Sequence, residues 1–131
     1  MQDRMEISWR VDAEHSLLTV TYSGAFSLAE AEMNFLDLLD ELVRHKLRKV
    51  LVDGRQLNGD PELAERFYYG SFVADAVNRT VNRTRCAVPT FAYVLNKPML
   101  DPNRFGETVA VNRGMRVKVF DNLQQARWWL G

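Results

Sequence analysis

Lys49-Val50-Leu51-Val52-Asp53 is the stretch whose reading decides the fold. Its apolar centre has no polar break, and two of its residues are β-branched. A strand with one wet face alternates apolar and polar residues; one covered on both faces reads as a continuous apolar run. Immediately upstream lies a helix. Ser27-Leu28-Ala29-Glu30 is a capping box, in which Ser27 and Glu30 satisfy free backbone amides. Leu28, Ala31, Phe35, Leu38, Leu39 and Leu42 follow at helical spacing, and Arg44, His45 and Lys46 put positive charge at the negative end. Before that helix, Ile7–Val11 and Leu18–Tyr22 each alternate apolar and polar residues around the polar Asp12–Ser16. They read as an antiparallel hairpin closed off at Gly24. A strand, a helix and a buried strand in succession make a right-handed βαβ crossover.

Downstream, Gly54–Gly59 reads as a loop. Asp60-Pro61 reads as an N-cap followed by proline at the first helical position. Leu63, Phe67, Gly70, Ala74 and Val77 mark a second amphipathic helix with Phe67 in the core, and Asn78–Arg85 reads as its solvated polar exit. Cys86–Leu95 holds a strand, with Pro89 at its start because a central strand cannot spare an amide donor. Asn96–Leu100 is a loop. Asp101-Pro102 repeats the cap-and-proline device before a short helix through Phe105, Val109 and Ala110, ended by Gly114. Met115–Phe120 alternates as a last strand. Asp121 or Asn122 caps a final helix carrying Leu123, Ala126, Trp128, Trp129 and Leu130. The fold class is therefore α/β: a mixed five-stranded sheet with about four helices, in the order β-β-α-β-α-β-α-β-α. Residues 1–131 form a single domain, without internal repeat or linker.

Composition narrows function by exclusion. The 131 residues are 47% hydrophobic and 26% charged, a globular balance. Seventeen Lys+Arg balance 17 Asp+Glu, so the basic excess that displaces counterions from nucleic acid is missing, and no nucleic-acid partner is expected. The charged start, Met1–Glu6, is not a secretory signal, and no run is long enough to span a membrane, so a cytoplasmic location is expected. One cysteine, Cys86, excludes an internal disulfide. With only His15 and His45 beside it, no zinc set and no Cys-His or Ser-His pair is expected, and neither a metal nor a cofactor is assigned.

The motifs in order resemble a known family. Val50-Leu51-Val52-Asp53 before a polar loop, Glu65-Arg66-Phe67, Phe105-Gly106-Glu107-Thr108-Val109-Ala110 with Asn112-Arg113-Gly114, and Val119-Phe120 leading to Trp129-Leu130 resemble the STAS domain of anti-sigma-factor antagonists. Among these the chain is most similar to SpoIIAA-like bacterial proteins, whose fold is related to the CRAL-TRIO lipid-transfer domain. The resemblance spans about residues 6 to 130. It implies a regulatory protein-interaction module and not an enzyme. The parent family switches partners through a phosphorylated Ser or Thr at the start of the helix after the central strand. The matching stretch here is Asp60-Pro61-Glu62-Leu63, and Pro61 carries no hydroxyl. The related lipid-transfer fold implies the alternative of a carrier or sensor of a small apolar or lipid-like ligand. An enzyme using Asp53 and Asp60 ranks last, since both carboxylates have bland duties as a loop-amide acceptor and a helix cap.

Two surfaces are candidates for binding. Ligands of open α/β sheets sit beyond the carboxyl ends of the parallel strands. Arg55, Asn58, Asp60, Arg66, Lys97 and Arg104 should meet there, beside helix N-termini that favour an anionic group or an acidic partner surface. Tyr68, Tyr69 and Trp128 are candidates for a partner or homodimer interface, because adjacent aromatics on a helix cannot all face the core. A pocket of several hundred cubic ångströms would favour the carrier reading (roughly the small-molecule range), and a flat surface with exposed aromatics the interaction module.

Overall fold

The computed structural model describes residues 4–131. Strands β1 (Glu6–Asp12) and β2 (Leu17–Ala25) form the hairpin, with Ile7 opposite Tyr22, Trp9 opposite Val20 and Val11 opposite Leu18. Helix α1 (Leu28–Arg44) leads to β3 (Lys49–Asn58), α2 (Leu63–Thr84) to β4 (Thr90–Val94), α3 (Phe105–Asn112) to β5 (Arg116–Phe120), and α4 (Leu123–Leu130) closes the chain. The five strands lie in sequence order, with β2 to β5 all parallel. Successive crossovers of one hand, each moving one strand along, place their helices on one face of the sheet. Accordingly α1 packs on α2 and α2 on α3, while α4 covers β3, β4 and β5 from the opposite face.

This arrangement explains the continuous apolar run of β3. Val50 and Val52 join Leu18, Val20, Phe91, Phe35, Leu38 and Val77 in the larger core. Leu51 points the other way, into a smaller core with Ala92, Val94, Phe120 and Ala126, flanked by Trp129. On the outer face of the hairpin the pattern is polar, with exposed Ser8 and Arg10.

Several local expectations change. Gly54–Asn58 is strand and not loop: β2 runs on through Ala25, and its free ladder pairs Ser23, Gly24 and Ala25 with Gln56, Leu57 and Asn58 after a register shift. Asp60 does not cap α2. The cap is Glu62, whose backbone N–H donates to the Glu65 carboxylate at 3.0 Å, so the helix starts two residues after Pro61. Asn78–Arg85 is not an exit, since α2 runs on to Thr84. Thr80 and Val81 prolong the inward stripe of Val73 and Val77, and the Thr84 hydroxyl donates back to the Thr80 carbonyl at 2.8 Å. Asp101 stands four residues before α3. Its carboxylate accepts the N–H groups of Asn103 and Phe105, while Arg104, at φ 53°, takes the N-cap position. Phe67 is not core: it is 39% exposed.

Helices α2 and α3 meet through glycine. A Cβ on Gly70 would stand 2.6 Å from the Gly106 carbonyl oxygen, so only a residue without a side chain permits this approach.

Candidate functional site

The carboxyl ends of β3 and β4, the β3–α2 loop and the β4–α3 loop converge at one edge, as the open-sheet rule requires. Arg66 ties them together. Its guanidinium donates to the carbonyls of Pro61 (3.0 Å), Met99 (2.8 Å) and Pro98 (3.0 Å), and to Asp60 Oδ1 at 3.3 Å. A planar fork with five N–H donors suits such bridging. Arg55 folds back on its own strand, placing Nε 2.9 Å and Nη2 2.8 Å from the two oxygens of Asp53, whose Oδ1 also accepts the Arg55 backbone N–H. Arg104 donates to the Val119 carbonyl and reaches Glu107 at 3.4 Å, while Glu107 accepts the Val119 N–H. That pair satisfies the N–H and the carbonyl of Val119 on the edge strand β5, groups that otherwise invite pairing with another chain. Lys97 and Asn58 stay exposed, and the Asn58 carbonyl accepts the Phe26 N–H at 2.9 Å. Of the six residues expected at this edge, three arginines thus have acceptors within the chain.

The Asp53–Arg55 contact makes stability depend on acid. The Arg55 guanidinium, with the Arg55 N–H, holds the Asp53 carboxyl below its ordinary value against the opposing effect of burial. A carboxyl depressed in the folded state stabilises above its unfolded pKa and ceases to do so as pH falls through the folded one. The stability difference between the native chain and Asp53→Asn is therefore expected to be largest near pH 6 and to shrink steadily below about pH 4. Urea midpoints of both proteins across that range check it; a constant difference contradicts the pairing.

The aromatic candidates separate. Tyr68 is 56% exposed on α2, where its ring centroid lies 5.7 Å from that of Phe67. Leu63, one turn before Phe67, is exposed as well, and the Arg113 guanidinium lies 6.0 Å from the Phe67 ring centre. Tyr69 is half-buried, and its hydroxyl lies 2.7 Å from that of Tyr93. Trp128 is 84% exposed, but α4 lies across the sheet from α2. Tyr68 and Trp128 therefore belong to different faces, and Tyr68 shares the start of α2 with the exposed Leu63 and Phe67. The spacing with Leu63, Gly70 and Ala74 suggests an inward Phe67, but the face of α2 that turns to the core carries Tyr69, Val73, Ala76 and Thr80, and Phe67 lies off that face.

Beneath that half of α2 is a cavity of about 130 Å³. Tyr22, Tyr69 and Tyr93 line it, brought from β2, α2 and β4. No sequence motif joins these tyrosines, though Tyr22 and Tyr93 occupy inward positions of their strands. His15 pairs with Asp12 at 2.8 Å in the hairpin turn, and His45 with Glu41 at 3.2 Å at the end of α1, both remote from this edge. Among the described residues no three His, Cys, Asp or Glu side chains gather to hold a metal ion, and no helix is long and apolar enough to cross a membrane.

The sheet order, the three helices on one face and the single helix on the other have a counterpart among solved structures. The crystal structure of an anti-sigma factor antagonist from Mycobacterium paratuberculosis matches at a TM-score of 0.55 and 13% identity, over 95% of this chain and 94% of that one. The fold is STAS-like. The likeness is one of architecture, carried by topology at low identity. No family model matches the sequence, and no curated protein does. Within the STAS-like fold, Asp60-Pro61-Glu62-Leu63 lies at the β3–α2 junction, and its exposed Leu63 is followed on α2 by the exposed Phe67 and Tyr68.

Proposed function

We propose that this chain is a non-catalytic regulatory module that works by binding another protein, and that it does so without a Ser or Thr phosphoacceptor at the β3–α2 junction. The observation that carries this reading is the apolar surface of Leu63, Phe67 and Tyr68 at the start of α2. Large exposed side chains in contact with one another mark interaction surfaces, and aromatic residues dominate the energetics of such surfaces. The Arg113 guanidinium, which also reaches Asp75 at 3.6 Å, adds a polar group to the rim beside Phe67. The STAS-like fold supports a regulatory role, since its solved counterpart is an anti-sigma factor antagonist. At the junction, the order Asp60-Pro61-Glu62-Leu63 offers no hydroxyl to a kinase, so switching by phosphate there is replaced by constitutive docking. The arginines Arg55, Arg66 and Arg104 organise the adjoining loops, and the exposed Lys97 is available to an acidic partner.

Photo-crosslinking tests the reading. A crosslinking amino acid replaces Tyr68 in one protein and Thr19, on the open face of the sheet, in another. In cells that express the chain natively, position 68 is expected to capture one protein, and position 19 none. Phe67→Ser should abolish the adduct at 68 while the purified variant keeps its melting temperature within a few degrees. Capture at 19 in place of 68, or an adduct at 68 indifferent to Phe67→Ser, refutes the assignment of this surface.

A further inference from the structure

Tyr22 is 3% exposed, and its hydroxyl has no hydrogen-bond partner among the described residues. Phenylalanine would fill the same place without leaving a polar atom unpaired. Tyr22 lines the cavity under α2 together with Tyr69 and Tyr93. In the Tyr69–Tyr93 contact one hydroxyl donates and the other accepts, so the accepting residue keeps a proton of its own to give. Burial raises the pKa of all three phenols, which therefore remain protonated donors. The cavity thus offers two unused O–H groups set in a mostly apolar wall.

We infer that this cavity is a binding site for a small neutral molecule, of about the size of phenol, whose oxygen accepts a hydrogen bond from Tyr22. Size, charge and polarity each narrow the ligand. The volume of about 130 Å³ is close to that of an apolar cavity known to take benzene, and well below the usual range of roughly 300–1,000 Å³ for drug-sized ligands. Around it stand the carboxylates of Glu65, Asp101 and Glu107 against the guanidiniums of Arg66 and Arg104, so no excess of positive charge receives an anion. Water is a poor occupant: a buried water wants about three hydrogen bonds, and a volume of this size has room for several waters but few polar groups to hold them.

Five methionines allow the test to be read in the unmodified chain. Met5, Met99 and Met115 line the cavity, while Met33 lies exposed on α1. The protein is labelled at its methionine methyl groups and titrated with phenol and, separately, with benzene. Both probes are expected to shift the methyl signals of Met5, Met99 and Met115 and to leave Met33 in place. Tyr22→Phe is expected to weaken phenol binding about three- to tenfold, the worth of one net hydrogen bond, and to leave benzene binding unchanged. No shift at the three cavity methionines with either probe overturns the site. Phenol binding indifferent to Tyr22→Phe overturns the role of the hydroxyl. A Tyr22→Phe protein that melts lower than the native chain shows that the hydroxyl is already bonded, and overturns the inference equally.

Discussion

Gly70→Ala is expected to destabilise the protein by about 1–3 kcal/mol, the usual cost of forcing extra atoms into a packed contact. Helix propensity alone gives the opposite sign. Alanine in a helix interior is favoured over glycine by about 1 kcal/mol, and Gly70 lies well inside α2. The contact overrides the propensity because the added Cβ would meet backbone, the Gly106 carbonyl oxygen at 2.6 Å, and would crowd the Val109 side chain, whose Cβ lies at 3.3 Å. A flexible side chain could swing aside; a carbonyl in the first turn of α3 cannot move without moving the helix. Gly106→Ala is the graded comparison, since its Cβ would lie 3.2 Å from the Arg66 carbonyl oxygen and asks for a smaller adjustment. Urea unfolding should rank native above Gly106→Ala above Gly70→Ala. A Gly70→Ala protein more stable than native would mean that α2 and α3 do not approach as closely as described.

Phe35→Ala should cost more, about 3–5 kcal/mol, in the range for emptying a large aromatic site in a core. Phe35 is completely buried at the centre of α1. Its ring lies 5.5 Å from that of Phe91 on β4 and 6.4 Å, edge-on, from that of Tyr69 on α2. One side chain therefore joins α1, the sheet and α2, and no neighbour can collapse into the space without loosening two others. Against a total stability of about 5–15 kcal/mol for a domain, such a loss leaves the variant near its unfolding threshold at 37 °C. Thermal and urea unfolding of Phe35→Ala measure this, with exposed Leu36→Ala on the same helix as reference, expected to cost far less. A loss for Phe35→Ala no larger than that for Leu36→Ala would place the core elsewhere.

The two variants probe different kinds of information. Phe35 was legible as core from its spacing with Ala31, Leu38, Leu39 and Leu42, because a helix that buries one face must repeat apolar residues at that period. Gly70 was legible only as a member of an apolar stripe. That it must be glycine follows from Gly106 on another helix, 36 positions along, and nothing local in the sequence records that approach. The same division runs through the candidate site. Arg55, Arg66 and Arg104 were brought to one edge by the order of the strands, but their acceptors are set by loop paths. The Pro98 and Met99 carbonyls meet Arg66 only because the β4–α3 loop folds over the start of α2.

The sequence by itself determined the order of elements, the strand buried on both faces, the capping of α1 at Ser27, and the chemistry available to the chain; it narrowed the α4 cap to Asp121 or Asn122, and the structure has Asn122. Each of these depends on residues within a turn or two of one another, where backbone geometry ties position to face. The tertiary structure alone decided where α2 starts and ends, which of its aromatics reach solvent, which carboxylate or carbonyl each arginine holds, and that Tyr22, Tyr69 and Tyr93 enclose one cavity. These depend on how far each helix overhangs the sheet and where each loop crosses it, which are properties of the packed layers and of no single segment.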